Sequence, residues 1–254
     1  MDFQYYIKSD IGTTRSENQD SAYAHSLVTN SGEAFLGIVC DGMGGLSHGE
    51  AASRDTVRYF AEWFEEEFRY IIAQGDISEL IAAQWSQLIT AANDHLRSCS
   101  VHFGSMGTTL SVILIFCGRY YAAQIGDSRI YLLNGENAVQ VTRDHSLVSE
   151  QIASGLLTEE EARSSPDKNV ITRCIGVMED VSADFYTNTV SGGVSFLICS
   201  DGFHGHYGGA EISALLGGAD FRTGSMADRV DCAFSMRMAQ GERDNITALW
   251  VGIV

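Results

Sequence analysis

The stretch Val112-Ile113-Leu114-Ile115-Phe116-Cys117-Gly118-Arg119-Tyr120-Tyr121-Ala122-Ala123-Gln124-Ile125 decides the fold class. Its first five residues are branched or aromatic apolar groups of the kind that fill a buried strand. Cys117-Gly118-Arg119 reads as a turn, and the apolar run that follows it is a second strand. Residues 129–133, Asn134-Gly135 and residues 138–142 then read as a hairpin. Upstream, strands are predicted at 3–8, 21–28 and 34–40. Residues 48–73 are helical, with Ala51, Ala52, Val57, Phe60, Ala61 and Phe64 at steps of three and four. A second helix is predicted over 77–98, after Gly75-Asp76. Downstream, residues 144–176 are polar and read as mostly helical, broken at Ser165-Pro166, which predicts a mobile surface flap. Strand patterns return at 181–190 and 194–200, a helix at 225–239 and a last strand at 245–254. Antiparallel-looking runs of strands with helices set apart argue for α+β rather than alternating βαβ units.

The chain has 254 residues, 45% hydrophobic and 19% charged, which argues against disorder and coiled coil. No repeat or linker divides it, so a single domain is expected over 1–254. Sixteen basic against 33 acidic residues give a net charge of −17. Nucleic acid and anionic membranes are excluded as partners on that field. An anionic substrate would need bound cations to reverse the local sign. The six cysteines form no C-x-x-C pair, and several lie in apolar runs, so they are expected to be reduced core thiols. Residues 1–6 lack a basic segment ahead of an apolar one, and no run nears the roughly 18 apolar residues of a membrane span. A cytoplasmic monomer is the expectation.

Four carboxylates stand at the ends of apolar runs. Asp41 follows 36–40, Asp127 follows 121–126, Asp201 follows 196–200, and Asp244 precedes 246–250. Turns favour Asp, so any one of them alone carries little. Four together, gathered at one rim of a sheet, would repel one another unless cations were bound. Oxygen-only ligands select a hard ion such as Mg²⁺ or Mn²⁺ over Zn²⁺. Gly42 and Gly202 would let backbone approach a metal or its waters.

Eight segments, in order, resemble the motifs of the metal-dependent (PPM, type 2C) serine/threonine phosphatases in their compact bacterial form. They are Arg15-Ser16-Glu17-Asn18-Gln19-Asp20, Asp41-Gly42-Met43-Gly44-Gly45, Gly107-Thr108-Thr109, Gly126-Asp127-Ser128-Arg129, Asp144-His145-Ser146, Asn169-Val170-Ile171-Thr172-Arg173, Ser200-Asp201-Gly202 and Asp244-Asn245-Ile246-Thr247. The resemblance implies a sandwich of two antiparallel β-sheets flanked by helices (αββα), with the flap beside the active site. It implies that Asp41 bridges two divalent cations, Mn²⁺ or Mg²⁺, that the Gly42 carbonyl holds the second, and that Asp201 and Asp244 complete the first. Asp127, with Asp201, would hold a weaker third metal. Arg15 would clamp the substrate phosphate, and Gln19, Asp20 and Asn245 would support the ligands. A metal-activated water would then attack phosphorus in phosphoserine or phosphothreonine of phosphorylated proteins, a kinase and its substrates among them.

The sequence departs from that pattern in places. Gln19 stands where many members carry Glu, and Met43 where some place a His. His48 lies two positions beyond the usual Gly-Gly-His histidine and is read as a surface residue at the helix entry. His204 and His206, just past Asp201, are read as substrate-facing surface rather than ligands. His145 is expected to make a structural hydrogen bond, and Glu65-Glu66-Glu67 to be a solvated helix face. Two rival functions remain: a non-catalytic phosphoprotein-binding module, which intact Asp41, Asp201 and Asp244 oppose, and a phosphatase of small molecules.

Overall fold

A computed structural model describes residues 1–43, 48–74, 77–205, 207–217 and 226–254. Among the described residues there are ten strands: β1 (Phe3–Asp10), β2 (Asp20–Thr29), β3 (Gly32–Asp41), β4 (Leu110–Phe116), β5 (Arg119–Ile125), β6 (Arg129–Asn134), β7 (Asn137–Gln140), β8 (Asp184–Thr189), β9 (Ser195–Cys199) and β10 (Ile246–Ile253). They form two five-stranded sheets, ordered β1-β10-β9-β6-β7 and β2-β3-β4-β5-β8, antiparallel throughout. The quoted stretch is β4 and β5. Leu110 faces Ile125 and Phe116 faces Arg119, across a turn whose residues Cys117 (φ 47°) and Gly118 (φ 72°) are both left-handed, as a tight hairpin demands. The chain then leaves one sheet for the other through Gly126-Asp127-Ser128, so the third strand of the run belongs to the opposite layer.

Strand residues alternate between two apolar environments, which is why the strands read as unbroken hydrophobic runs. Phe35, Val39, Ile113, Ile115, Phe196, Ile198, Leu249 and Val251 fill the space between the sheets. Their neighbours Leu36, Ile38, Val112 and Leu114 face outward under helices that contribute Phe60, Trp63, Trp85 and Ile89. On the other sheet, Leu197, Cys199, Ala248 and Trp250 pack under Val230, Ala233 and Phe234. Burying each such large side chain contributes about 2 kcal/mol, spread over three apolar layers. This is the expected α+β sandwich.

The helices are α1 (Gly49–Glu62), a π-helical turn (Trp63–Glu67), α2 (Phe68–Ile71), α3 (Ser78–Phe103), α4 (Leu147–Ala153), α5 (Glu159–Ser164), α6 (Asp201–His204), α7 (Gly209–Leu216) and α8 (Met226–Ala239). The single helix predicted over 48–73 carries the π turn, which buries Trp63 and Phe64 and leaves Glu65, Glu66 and Glu67 exposed. Helix α7 escapes sequence reading because only Ile212 and Leu216 of its eight residues are buried apolar groups. Residues 144–176 are less helical than predicted. Ser146 caps α4 and Thr158 caps α5, but these run for only seven and six residues, and Gly155 at φ 74° lies between them. All six cysteines are free, but Cys117 and Cys232 are exposed, correcting the expectation of core thiols, which Cys40, Cys174 and Cys199 meet. Among the described residues no helix is long and apolar enough to cross a membrane.

Candidate active site

Each predicted carboxylate sits where a buried strand runs out. Asp41 closes β3 and faces Asp20, the first residue of β2. The Asp41 main chain is gripped by the Gly107-Thr108-Thr109 segment. Its N–H donates to Thr109 Oγ1 (2.9 Å), and its carbonyl accepts from Thr109 N (2.9 Å) and Thr108 Oγ1 (2.9 Å). Asp201 opens α6 directly after β9, Asp244 precedes the neighbouring β10, and Asp127 lies in the crossing between the sheets. One sheet thus supplies Asp20 and Asp41, the other Asp201 and Asp244.

These groups share one field. Burial, then repulsion from Asp20, Asp201, Asp127 and Asp244, pushes the Asp41 carboxyl well above the usual range. Asp127 is raised by burial and then by Asp201 and Asp144, and Asp201 by burial and Asp244 while lying within hydrogen-bonding reach of Asp41. Asp20 is pushed up to about 7 by burial, although Ser200 Oγ donates to its Oδ2 at 2.9 Å. Its Oδ1 is buried without a partner.

Arg15 is the cation that meets this field. Its Nε and Nη2 donate to the two oxygens of Asp244 at 2.8 and 2.6 Å. Its guanidinium pKa is raised, first by that hydrogen bonding and further by the charges of Asp244, Asp41 and Asp201. Asp244 is turned to Arg15, and no three His, Cys, Asp or Glu side chains among the described residues close around a common point. The donors nevertheless suit hard divalent cations. They are all oxygen, mutually repelling and met by one guanidinium at the half-exposed Asp244, and the orphaned Asp20 Oδ1 is an acceptor for a metal-bound water.

Gly42 and Gly202, which follow Asp41 and Asp201, both allow close approach of main chain. A Cβ on Gly42 would lie 2.2 Å from the Gly49 carbonyl oxygen and 2.6 Å from that of Gln19; one on Gly202 would lie 2.0 Å from the Asn245 carbonyl oxygen. Asn245 donates through Nδ2 to the Ile11 (2.9 Å) and Glu17 (3.1 Å) carbonyls and accepts from Gln19 N–H (2.9 Å), so it fastens the Arg15 segment to the Asp244 strand. The Gln19 carbonyl accepts from Gly42 N–H (3.0 Å) and Ser53 Oγ (2.6 Å).

The remaining motif residues sort by their contacts. His48 is exposed at the start of α1, edge-on to Phe103, as expected. His145 is structural: Gly126 N–H donates to its Nδ1 (3.2 Å), its own N–H donates to the Gly126 carbonyl (2.9 Å), and its Nε2 lies 3.2 Å from Asp184. His204 corrects the reading of a substrate-facing surface. It is 4% exposed, its Nε2 donates to the Asp127 carbonyl (3.0 Å), and burial pushes its pKa well below the ordinary value. Gly44, Gly45, Leu46 and His206 lie outside the described residues. Arg129 does not tie down Asp127; it makes three hydrogen bonds of 2.7–3.0 Å to Asp144. Sequence reading missed Arg237 and Glu242. The only signal was an arginine at a helical position facing the core.

Residues 13–242 match the protein phosphatase 2C family. The chain belongs to that family. It is a phosphoprotein phosphatase of the metal-dependent serine/threonine class. It is 32% identical to protein phosphatase PhpP of Streptococcus pneumoniae over 97% of this chain and 96% of PhpP. With the serine/threonine phosphatase stp of Listeria monocytogenes it shares 30% identity over 96% of this chain and 94% of stp. Its fold is similar to that of the S. agalactiae serine/threonine phosphatase (TM-score 0.85, 31% identity, 99% and 100% of the chains). It also resembles the catalytic domain of the phosphatase PstP in complex with two manganese ions (TM-score 0.79, 27% identity, 99% and 98%).

Proposed function

We propose that this phosphatase hydrolyses phosphoserine and phosphothreonine in proteins and opposes a serine/threonine kinase in signalling. The observation that carries the reading is five aspartates brought together from the two sheets and the crossing between them, with the Arg15 guanidinium bound to the most exposed of them, Asp244. Asp41, the Gly42 carbonyl, Asp201 and Asp244 would hold two cations, Mn²⁺ or Mg²⁺, and Asp127 with Asp201 a weaker third. The presence of two manganese ions in PstP, a relative of the same fold, supports this. When bound, such ions supply a water acidic enough to attack phosphorus and neutralise the phosphoryl oxygens.

The chain's own groups do the rest. Arg15 exchanges Asp244 for the phosphate, whose oxygens match the same planar fork. Thr108 and Thr109 fix the Asp41 main chain, and Asn245 keeps Arg15 and Asp244 on one loop pair. His145 and His204 are held through backbone groups, and metal-bound water would serve to protonate the leaving serine or threonine oxygen. Residues 144–176 act as the flap, which a protein substrate reaches and a small phosphate ester does not.

Phosphate release from a phosphothreonine peptide and from an aryl phosphate, with and without Mn²⁺, tests the proposal. Release from neither favours the binding module, and release from the aryl ester alone favours a small-molecule enzyme. Arg15→Ala is expected to raise KM and lower kcat together, about tenfold or more in kcat/KM, with metal binding intact. Wild-type values in both would remove Arg15 as the clamp.

A further inference from the structure

Arg237 lies on α8 and is 1% exposed, yet every group it binds belongs to a loop of the carboxylate rim or its flank. Its Nε donates to the Gly202 carbonyl at 2.9 Å, one residue past Asp201. Its Nη2 is paired with Glu242 Oε2, its Nη1 reaches Gln240 Oε1 at 3.3 Å, and its guanidinium lies 5.3 Å from the Tyr207 ring centroid. The other oxygen of Glu242, Oε1, accepts from the N–H groups of Arg243 (2.7 Å) and Asp244 (3.0 Å). Gly205 leaves room for this path, since a Cβ there would stand 2.2 Å from Arg237 Nη2. The result is one continuous chain of contacts: the Asp201-Gly202 turn, Arg237, Glu242, the Asp244 main chain.

A buried ion pair is a poor way to gain stability, because apolar side chains of the same volume do as well or better. This pair instead bridges the two segments that carry Asp201 and Asp244, bonded to the main chain of each. We propose that Arg237 and Glu242 are a positioning pair that sets the separation of Asp201 and Asp244, and with it the affinity of the metal those two residues hold. This rests on the reading above that Asp201 and Asp244 share a cation.

Partners that orient metal ligands typically change affinity by about 10–100-fold when removed. Calorimetric titration of Mn²⁺ into Arg237→Met, Glu242→Gln and the double variant, with melting followed on the same samples, tests the pair. Arg237→Met is expected to fold, because the carboxylate it leaves is 19% exposed and can be hydrated. Each single variant should bind Mn²⁺ about tenfold more weakly, and the double variant no more weakly than the worse single one, since the two act as a unit. Arg237→Lys should recover only part of the loss, lacking the Nε that reaches Gly202 while the head pairs with Glu242. Wild-type Mn²⁺ affinity in Arg237→Met and in Glu242→Gln, with lowered melting temperature, overturns the proposal and leaves a structural pair. Asp244→Asn is the control. If it too binds Mn²⁺ normally, the metal-site reading fails; if it alone loses Mn²⁺, only the role of the pair fails.

Discussion

The carboxylate rim and residues 144–176 meet at Gly126, but they are held by opposite means. At the rim, the Asp41 main chain is fastened by Thr108 and Thr109, and the Gly202 and Asp127 carbonyls accept from Arg237 and His204, all side chains far away in sequence. Residues 144–176 are attached at their two ends, by His145 to Gly126 and by Ile175 to Thr108, while Leu156 and Val170 between them are exposed. The rim holds groups that repel each other, so it needs restraint. The segment holds little together and is free to differ in what it touches. Chemistry that demands fixed atoms and recognition that demands adaptability therefore sit on adjoining but separately anchored parts of the chain.

The largest test of this contrast is at the rim. Asp41→Asn and Asp201→Asn should each lower turnover by about two orders of magnitude or more, and reduce bound Mn²⁺. In chelator, the same variants should melt higher than wild type, because each removes a buried, repelled carboxylate. A lower melting temperature in chelator would mean that the acids do not oppose one another as described.

Asp20 gives the pH dependence of the metal-free protein. Its folded pKa, about 7, is above its ordinary value of 3.8. The folded state therefore binds more protons between these values, and stability falls as pH rises from about 4 through about 7. Denaturant midpoints in chelator should follow that slope, to which the raised Asp41, Asp127 and Asp201 carboxyls add in the same direction, and Asp20→Asn should make it shallower. A slope of the opposite sign would contradict the buried, crowded carboxyl.

Smaller effects should appear where rim and flap meet. Asp127→Asn should keep two tight metals, slow peptide turnover several-fold and flatten the rate response to millimolar Mn²⁺; loss of the tight metals would make Asp127 one of their ligands. Least of all, Leu156→Ser with Val170→Ser should change KM for a phosphopeptide a few-fold and leave an aryl phosphate untouched. Equal changes in both substrates would make the segment purely structural.

Much of the site was legible because of how a buried sheet ends. In a strand covered on both faces the first charged residue marks the rim, so Asp41, Asp127, Asp201 and Asp244 could be read from the end of each apolar run. Their convergence was implied by the resemblance to the phosphatase family. Arg237 and Glu242 were not legible, because their pairing depends on where α8 packs and nothing local announces it. His204 was misread for the same reason: its position after Asp201 says nothing of the Asp127 carbonyl that covers it. The π turn at Trp63–Glu67 and the exposure of Cys117 were likewise set by packing and turn geometry rather than by composition.

The division of the carboxylates between the two sheets gives the middle apolar layer a further role. Asp20 and Asp41 ride on one sheet and Asp201 and Asp244 on the other, so the distance between the pairs is set by Val39, Ile113, Ile198 and Leu249, which work as a spacer. A change of side-chain volume there shifts one sheet against the other, because interiors this dense transmit strain instead of absorbing it. On the proposed reading of these carboxylates, metal selectivity would thus be tuned from residues that never meet solvent, metal or phosphate, by the thickness of the wall that separates the two halves of the site.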